Sequence, residues 1–146
     1  MSDAQSQPTP ARSFWIIGGV ALVWNLMGVA NYLGTVSMTP EALAALPEAE
    51  RALQTDVPAW VTSAYAVAVF GGTLGSLALL LRKAWAVPVL VVSLIGILLQ
   101  MGHAFFASAM IEVQGMTAVV FPLFIIAIAV YLVVFSNSAK TKGWLR

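Results

Sequence analysis

Long apolar runs separated by short polar stretches dominate the chain. The runs cover about 14–36, 60–81, 85–111 and 116–135. Each reaches the roughly 20 residues that a helix needs to cross a hydrocarbon core at its rise of about 1.5 Å per residue. In lipid no water is present to satisfy backbone N–H and C=O groups, so a single spanning segment must be a helix. The pattern therefore predicts an all-α polytopic membrane protein built as a four-transmembrane-helix bundle. The first run is longer than the apolar stretch of a signal peptide, and no convincing small-residue cleavage site follows it. It is expected to remain as a span.

The polar stretches divide into three. Residues 1–13 read as a disordered cytoplasmic segment and 137–146 as a basic cytoplasmic tail. Between the first two spans, 37–59 reads as a short helical loop. Thr39 is suited to cap a helix, Pro40 to its first position, and Glu41 to the positive end of its dipole. Leu43, Leu46 and Leu53 give this loop an intermittent apolar face, and Pro47 is placed to break it before Glu48 to Arg51.

Charge gives the threading. Arg12, Arg82, Lys83, Lys140, Lys142 and Arg146 fall on one side of a four-span path, and Arg51 alone among the basic residues falls on the other. The positive-inside rule makes the first side cytoplasmic, with both termini inside and the 37–59 loop outside. Trp15, Trp60, Trp85 and Trp144 lie near span ends, as an interfacial aromatic belt requires, while Trp24 lies well within a span.

Composition strengthens the membrane reading: 60% of residues are hydrophobic and 9% charged, against roughly a quarter charged in a soluble domain. The expected localisation is a bacterial inner membrane. A net charge of +1 with scattered basic residues argues against a nucleic-acid partner. The chain has no cysteine, which excludes disulfides and thiolate chemistry.

Polar residues within spans are expensive in lipid and should face inward. Asn25 and Asn31 in the first span, Tyr65 in the second, and Gln100 and His103 in the third form the candidate cluster. Asn31, Tyr65 and His103 share a depth in the outer half, with Asn25 and Gln100 nearer the midplane. Gln100 and His103, three residues apart, share a helix face. Two readings stand: interhelical hydrogen bonding that holds the bundle together, or a solute-binding site. His103 is the sole histidine, and no acid or cysteine accompanies it in the membrane, so no metal site or bis-histidine haem is expected. No cofactor is expected.

The Gly71 to Gly75 run holds a GxxxG spacing, which allows close helix approach either within the chain or between copies. Gly18, Gly19, Gly28 and Gly34 suggest close packing of the first span as well. Pro88 and Pro122 are placed to bend their helices. A six-residue similarity links Met27 to Tyr32 with Met101 to Phe106, at matching depths of two spans that run in the same direction.

Several local sequences together resemble one family: Phe14-Trp15-Ile16-Ile17, Trp24 to Gly28, Pro58-Ala59-Trp60, Ala68 to Gly75, Leu81-Arg82-Lys83 and Lys142-Gly143-Trp144-Leu145. The family is one of small bacterial four-helix inner-membrane proteins labelled sugar transporters, and the similarity runs from Phe14 onward. It implies an oligomeric carrier of a small, sugar-like solute. Members carry Tyr-Asn where this chain has His103-Ala104, so no catalytic residue is carried over. No Ser/His/Asp set, carboxylate pair or phosphate-binding loop is present, and an enzyme is not expected. The competing reading is a non-catalytic accessory or scaffold subunit of a larger membrane complex. Expected partners are the lipid bilayer together with further copies of the chain or such a complex.

Overall fold

A computed structural model describes residues 9–106 and 110–146. Among these every regular element is helical: α1 (Arg12–Val36), α2 (Pro40–Ala44), α3 (Glu48–Thr55), α4 (Ala59–Leu80), α5 (Ala86–Phe106), α6 (Met110–Gln114) and α7 (Thr117–Thr141). Four of them, α1, α4, α5 and α7, are long and apolar enough to cross a membrane. The all-α bundle read from the hydropathy pattern is the fold found, and the chain is a multi-pass membrane protein.

Helix α4 is the central element. It packs against both α1 and α5, and α5 packs against α7. About 44% of its most apolar stretch is buried within the protein, against 17% for each of the other three, whose remaining apolar surface is left for lipid. The sequence Gly71-Gly72-Thr73-Leu74-Gly75-Ser76 explains how one helix serves two neighbours. Gly71 and Gly75 lie four apart on one face, and Gly72 and Ser76 form a second face beside it. The first meets α5: a Cβ at Gly71 would lie 3.2 Å from Ser93 Cβ, and one at Gly75 would lie 2.6 Å from Leu90 Cδ2. The second meets α1 at Asn25. Gly71 and Gly75 thus pack helices within the chain.

The α4–α5 contact is extended by Gly96, where a Cβ would stand 2.8 Å from the Ala64 carbonyl oxygen. Ser93 Oγ donates across the same interface to the Ala68 carbonyl at 2.6 Å. In α1, Gly18 approaches Leu80 and Gly28 approaches Val69, whereas Gly19 and Gly34 have nothing close to them.

Several boundaries differ from the hydropathy reading. Helix α1 starts at Arg12, and Ala11 before it is extended; residues 1–8 of the expected disordered segment lie outside the described residues. The third span, expected over 85–111, is helical over 86–106 and again over 110–114, and residues 107–109 lie outside the described residues. Helix α7 runs six residues past the expected end at 135, to Thr141, because Asn137 and Ser138 end the apolar run without breaking the backbone ladder. In the loop, Thr39 accepts a hydrogen bond from the Ala42 N–H at the start of α2, and Pro47 immediately precedes α3. Arg51 reaches back to the carbonyls of Leu43, Ala44 and Leu46, tying the two short helices into one cap.

The opposite end carries a clasp. Helices α4 and α7 both end in the motif in which N–H groups beyond the last turn fold back on its carbonyls. In α7 the Trp144 and Gly143 N–H groups donate to Ala139 and Lys140, with Gly143 at φ 78°. In α4 the Lys83 and Arg82 N–H groups donate to Ala78 and Leu79, and Arg82 itself adopts φ 57°. The two ends are then joined. Arg146 N–H donates to the Arg82 carbonyl at 2.8 Å, Ala84 N–H donates to the Arg146 carbonyl at 2.7 Å, and Arg82 Nε donates to the Trp144 carbonyl at 2.9 Å. Fully buried Phe14 lies behind this clasp, its ring against Trp15, Phe135 and Trp144. What reads in sequence as a basic tail is the lock on one end of the bundle.

Candidate functional site

At the cap end the four long helices splay around a cavity of about 1230 Å³. Its existence follows from the packing order. Helix α4 holds α1 and α5 closely, but α1 and α7 do not pack backbone to backbone as the other neighbours do. They meet through large side chains, as in the edge-on contact of Trp24 with Phe124, with ring centroids 6.0 Å apart. The space left between them is roofed by α2 and α3.

Asn25, Asn31, Tyr65, Gln100 and His103 all line this one cavity. Their local partners differ. Asn31 Nδ2 donates to Tyr65 Oη at 2.7 Å, which bridges α1 and α4, and the Tyr65 ring is steadied edge-on by Tyr32. Asn25 Nδ2 donates to the Ala21 carbonyl of its own helix at 2.8 Å and to Ser76 Oγ of α4 at 3.2 Å. Asn25 is so tightly seated that a Cβ on Gly72 would lie 2.0 Å from its Oδ1. It acts as an interhelical fastener at the floor of the cavity.

Gln100 and His103 behave otherwise. Neither makes a hydrogen bond to another described residue, and no fully buried side-chain polar atom among the described residues lacks a partner. Their side-chain polar atoms are therefore at least partly exposed, and both residues line the cavity. The His103 imidazole stands edge-on to the Trp60 indole, centroids 5.6 Å apart and planes at 88°. Among the described residues His103 does not join the Asn31–Tyr65 hydrogen bond, although it lines the same cavity.

The remainder of the lining is graded. Polar Thr35, Gln54 and Gln114 lie at the cap end, with Glu50 and Asp56 on the cap itself, while Ile97, Ile128, Ala129 and Leu132 make the deep walls apolar. Residues from both halves of the six-residue similarity contribute, Met27, Gly28 and Asn31 from α1 and Met101, His103 and Ala104 from α5. Pro122 also faces the space from inside α7, where it has no N–H to donate to the Ala118 carbonyl. No group of three or more His, Cys, Asp or Glu residues with metal-holding geometry occurs among the described residues.

The sequence reading missed Ser76, Ser93 and Gly96, which set the helix contacts beneath the site. Ser76 could have been found as the partner of Gly72 at spacing four, and Ser93 with Gly96 as a pair of small residues on one face of α5. Compared with protein families, curated proteins and solved structures, the chain matches none.

Proposed function

We propose that this chain is a small inner-membrane carrier component that binds an uncharged small solute in the cap-end cavity. The observation that carries the reading is the presence of Gln100 and His103, whose side chains have no hydrogen-bond partner among the described residues, beside the Asn31–Tyr65 pair in a single roofed space. Polar groups at membrane depth are costly, and groups left without partners are suited to an exchangeable ligand. The basic residues support a threading with both termini cytoplasmic, which would place the cavity in the outer half. The resemblance read from the sequence, to a four-helix family labelled sugar transporters, is in keeping with this reading.

Among the described residues, side-chain contacts close the bundle below the cavity. Below the cavity, Asn25 seals α1 onto α4, and the Phe14 cluster fills the far end. Release to the cytoplasm would require these contacts to open, or a route at an interface between copies. Uptake of neutral polyols and hexoses into proteoliposomes tests the proposal. Saturable uptake that survives in His103→Gln, which keeps a donor and an acceptor, and falls at least tenfold in His103→Leu is the expected result. Uptake equal to empty liposomes for every solute, with a foreign subunit co-purifying in fixed ratio, would replace the carrier with an accessory subunit.

A further inference from the structure

The cavity is connected in composition and position to a second feature on the bilayer-facing side of α7. Met116, Thr117, Val120, Phe121 and Phe124 form a shallow groove of about 510 Å³ there, and Phe121 lines both the groove and the cavity. Phe121 is 55% exposed and borders both spaces, so its side chain stands between the groove and the cavity. Next to it is the Trp24–Phe124 contact, which spans the loosely packed line between α1 and α7. The side of the bundle with least helix packing is therefore also the side where the cavity lies one side chain away from lipid.

The chemistry inside the cavity restricts what could pass that wall. No Asp, Glu, Lys or Arg of the four long helices lines it, and Glu50 and Asp56 are confined to the cap. A charged guest would be desolvated without a counter-charge, which strongly disfavours it. At the cap end Asn31, Tyr65, Gln100 and His103 offer hydrogen bonds to a neutral head group. From Phe121 to Leu132 the α7 wall is apolar for about 16 Å by the helical rise, long enough for an alkyl chain. The volume also exceeds the roughly 300–1,000 Å³ of ordinary small-molecule pockets.

We infer that the ligand of this cavity is a neutral single-chain amphiphile that passes laterally from the bilayer between α1 and α7 at Phe121. Its hydroxylated head is held by Gln100 and His103 beside the Asn31–Tyr65 pair, and its chain lies along Ile125, Ile128 and Leu132. This rests on the cavity being a ligand site, and it specifies the ligand's class and route.

The test uses the full chain in phosphatidylcholine nanodiscs with three photoactivatable probes bearing the same diazirine. These are a monoacylglycerol with the group at mid-chain, a phosphatidylcholine with it at the same carbon, and a water-soluble glycerol ether. The monoacylglycerol should label Ile125, Ile128 and Leu132 at least fivefold more than the phosphatidylcholine does, relative to bilayer-facing Leu123, Val130 and Val134. Gln100→Leu combined with His103→Leu should remove that excess while the bilayer-facing labelling stays constant, which reports intact insertion. Equal labelling by the two lipids would overturn the inference. Labelling of cavity residues by the glycerol ether alone would overturn the lateral route and leave a water-borne solute site standing. Cavity residues untouched by all three probes would remove the ligand site and the inference together.

Discussion

Gly72→Ala gives the most specific test of the packing described above, because the one added carbon falls closest to a single side chain, Asn25. The new Cβ would stand 2.0 Å from Asn25 Oδ1, 2.8 Å from Asn25 Cγ and 3.3 Å from Ser93 Oγ. Distances of 2.0 and 2.8 Å cannot be absorbed by slight adjustment, so the Asn25 amide must leave its place or α1 must move away from α4. Either change breaks the 3.2 Å bond from Asn25 to Ser76. Interhelical hydrogen bonds in membranes average about 0.6 kcal/mol and reach about 1.7, and overpacking typically costs about 1–3 kcal/mol. A loss of about 2–3 kcal/mol is expected from these magnitudes. Asn25→Ala should itself cost about 1 kcal/mol and clear the space the new carbon needs. In the double variant the added cost of Gly72→Ala should then fall below about 1 kcal/mol, a coupling that a double-mutant cycle resolves. Reversible unfolding in mixed detergent micelles, followed by tryptophan fluorescence, measures all four corners. Additive effects of the two substitutions would refute the contact on which the α1–α4 interface is built.

Other consequences follow from the same helix contacts. Gly75→Leu should disrupt the α4–α5 interface more than Gly71→Leu, since a Cβ at Gly75 already meets Leu90 at 2.6 Å while one at Gly71 stands at 3.2 Å from Ser93; thermal unfolding of the purified variants compares them. Arg82 occupies the left-handed region, which costs an L-residue about 1–2 kcal/mol, and it also donates to the Trp144 carbonyl. Arg82→Gly should therefore be less destabilising than Arg82→Ala by about 1 kcal/mol, because both lose the side-chain bond and only glycine relieves the backbone; chemical unfolding midpoints give the order. Reporter fusions and impermeant labels should place both termini and Lys83 in the cytoplasm and Glu48 outside, and a C-terminus on the outer side would refute the threading.

The sequence made the bundle readable because lipid imposes so strict a rule on the backbone that run length alone implies helices. The inward placement of Asn25, Asn31, Tyr65, Gln100 and His103 followed from the same cost argument applied to side chains. Their individual partners did not follow. Asn25 lies on Gly72 and Ser76 because two interleaved small-residue faces on α4 set the helix spacing, a three-dimensional consequence of a six-residue string. His103 turns to Trp60, a residue that hydropathy assigns equally well to the interfacial belt. The end of α7 was misjudged because hydropathy reports where apolar side chains stop, whereas a helix stops where its carbonyls are capped. Gly143 was a readable signal for that end. Arg82 in the same backbone role was not, since only its contacts with Trp144 and Arg146 make the conformation worth its strain.

The chain contains no cysteine, so single cysteines can be introduced against a silent background. Reaction of cysteines at 31, 65, 100 and 103 with a membrane-impermeant thiol reagent, applied from the cap side, tests the central claim that these positions line a polar, hydrated cavity at the cap end of the bundle. Positions 95, 98 and 99, whose Ile95, Leu98 and Leu99 side chains are exposed on the outside of α5, serve as lipid-facing controls. Fast modification at 100 and 103 with little or none at 95, 98 and 99 is the predicted pattern. Protection at 100 and 103 equal to that of the lipid-facing positions, in protein that remains folded, would contradict the account.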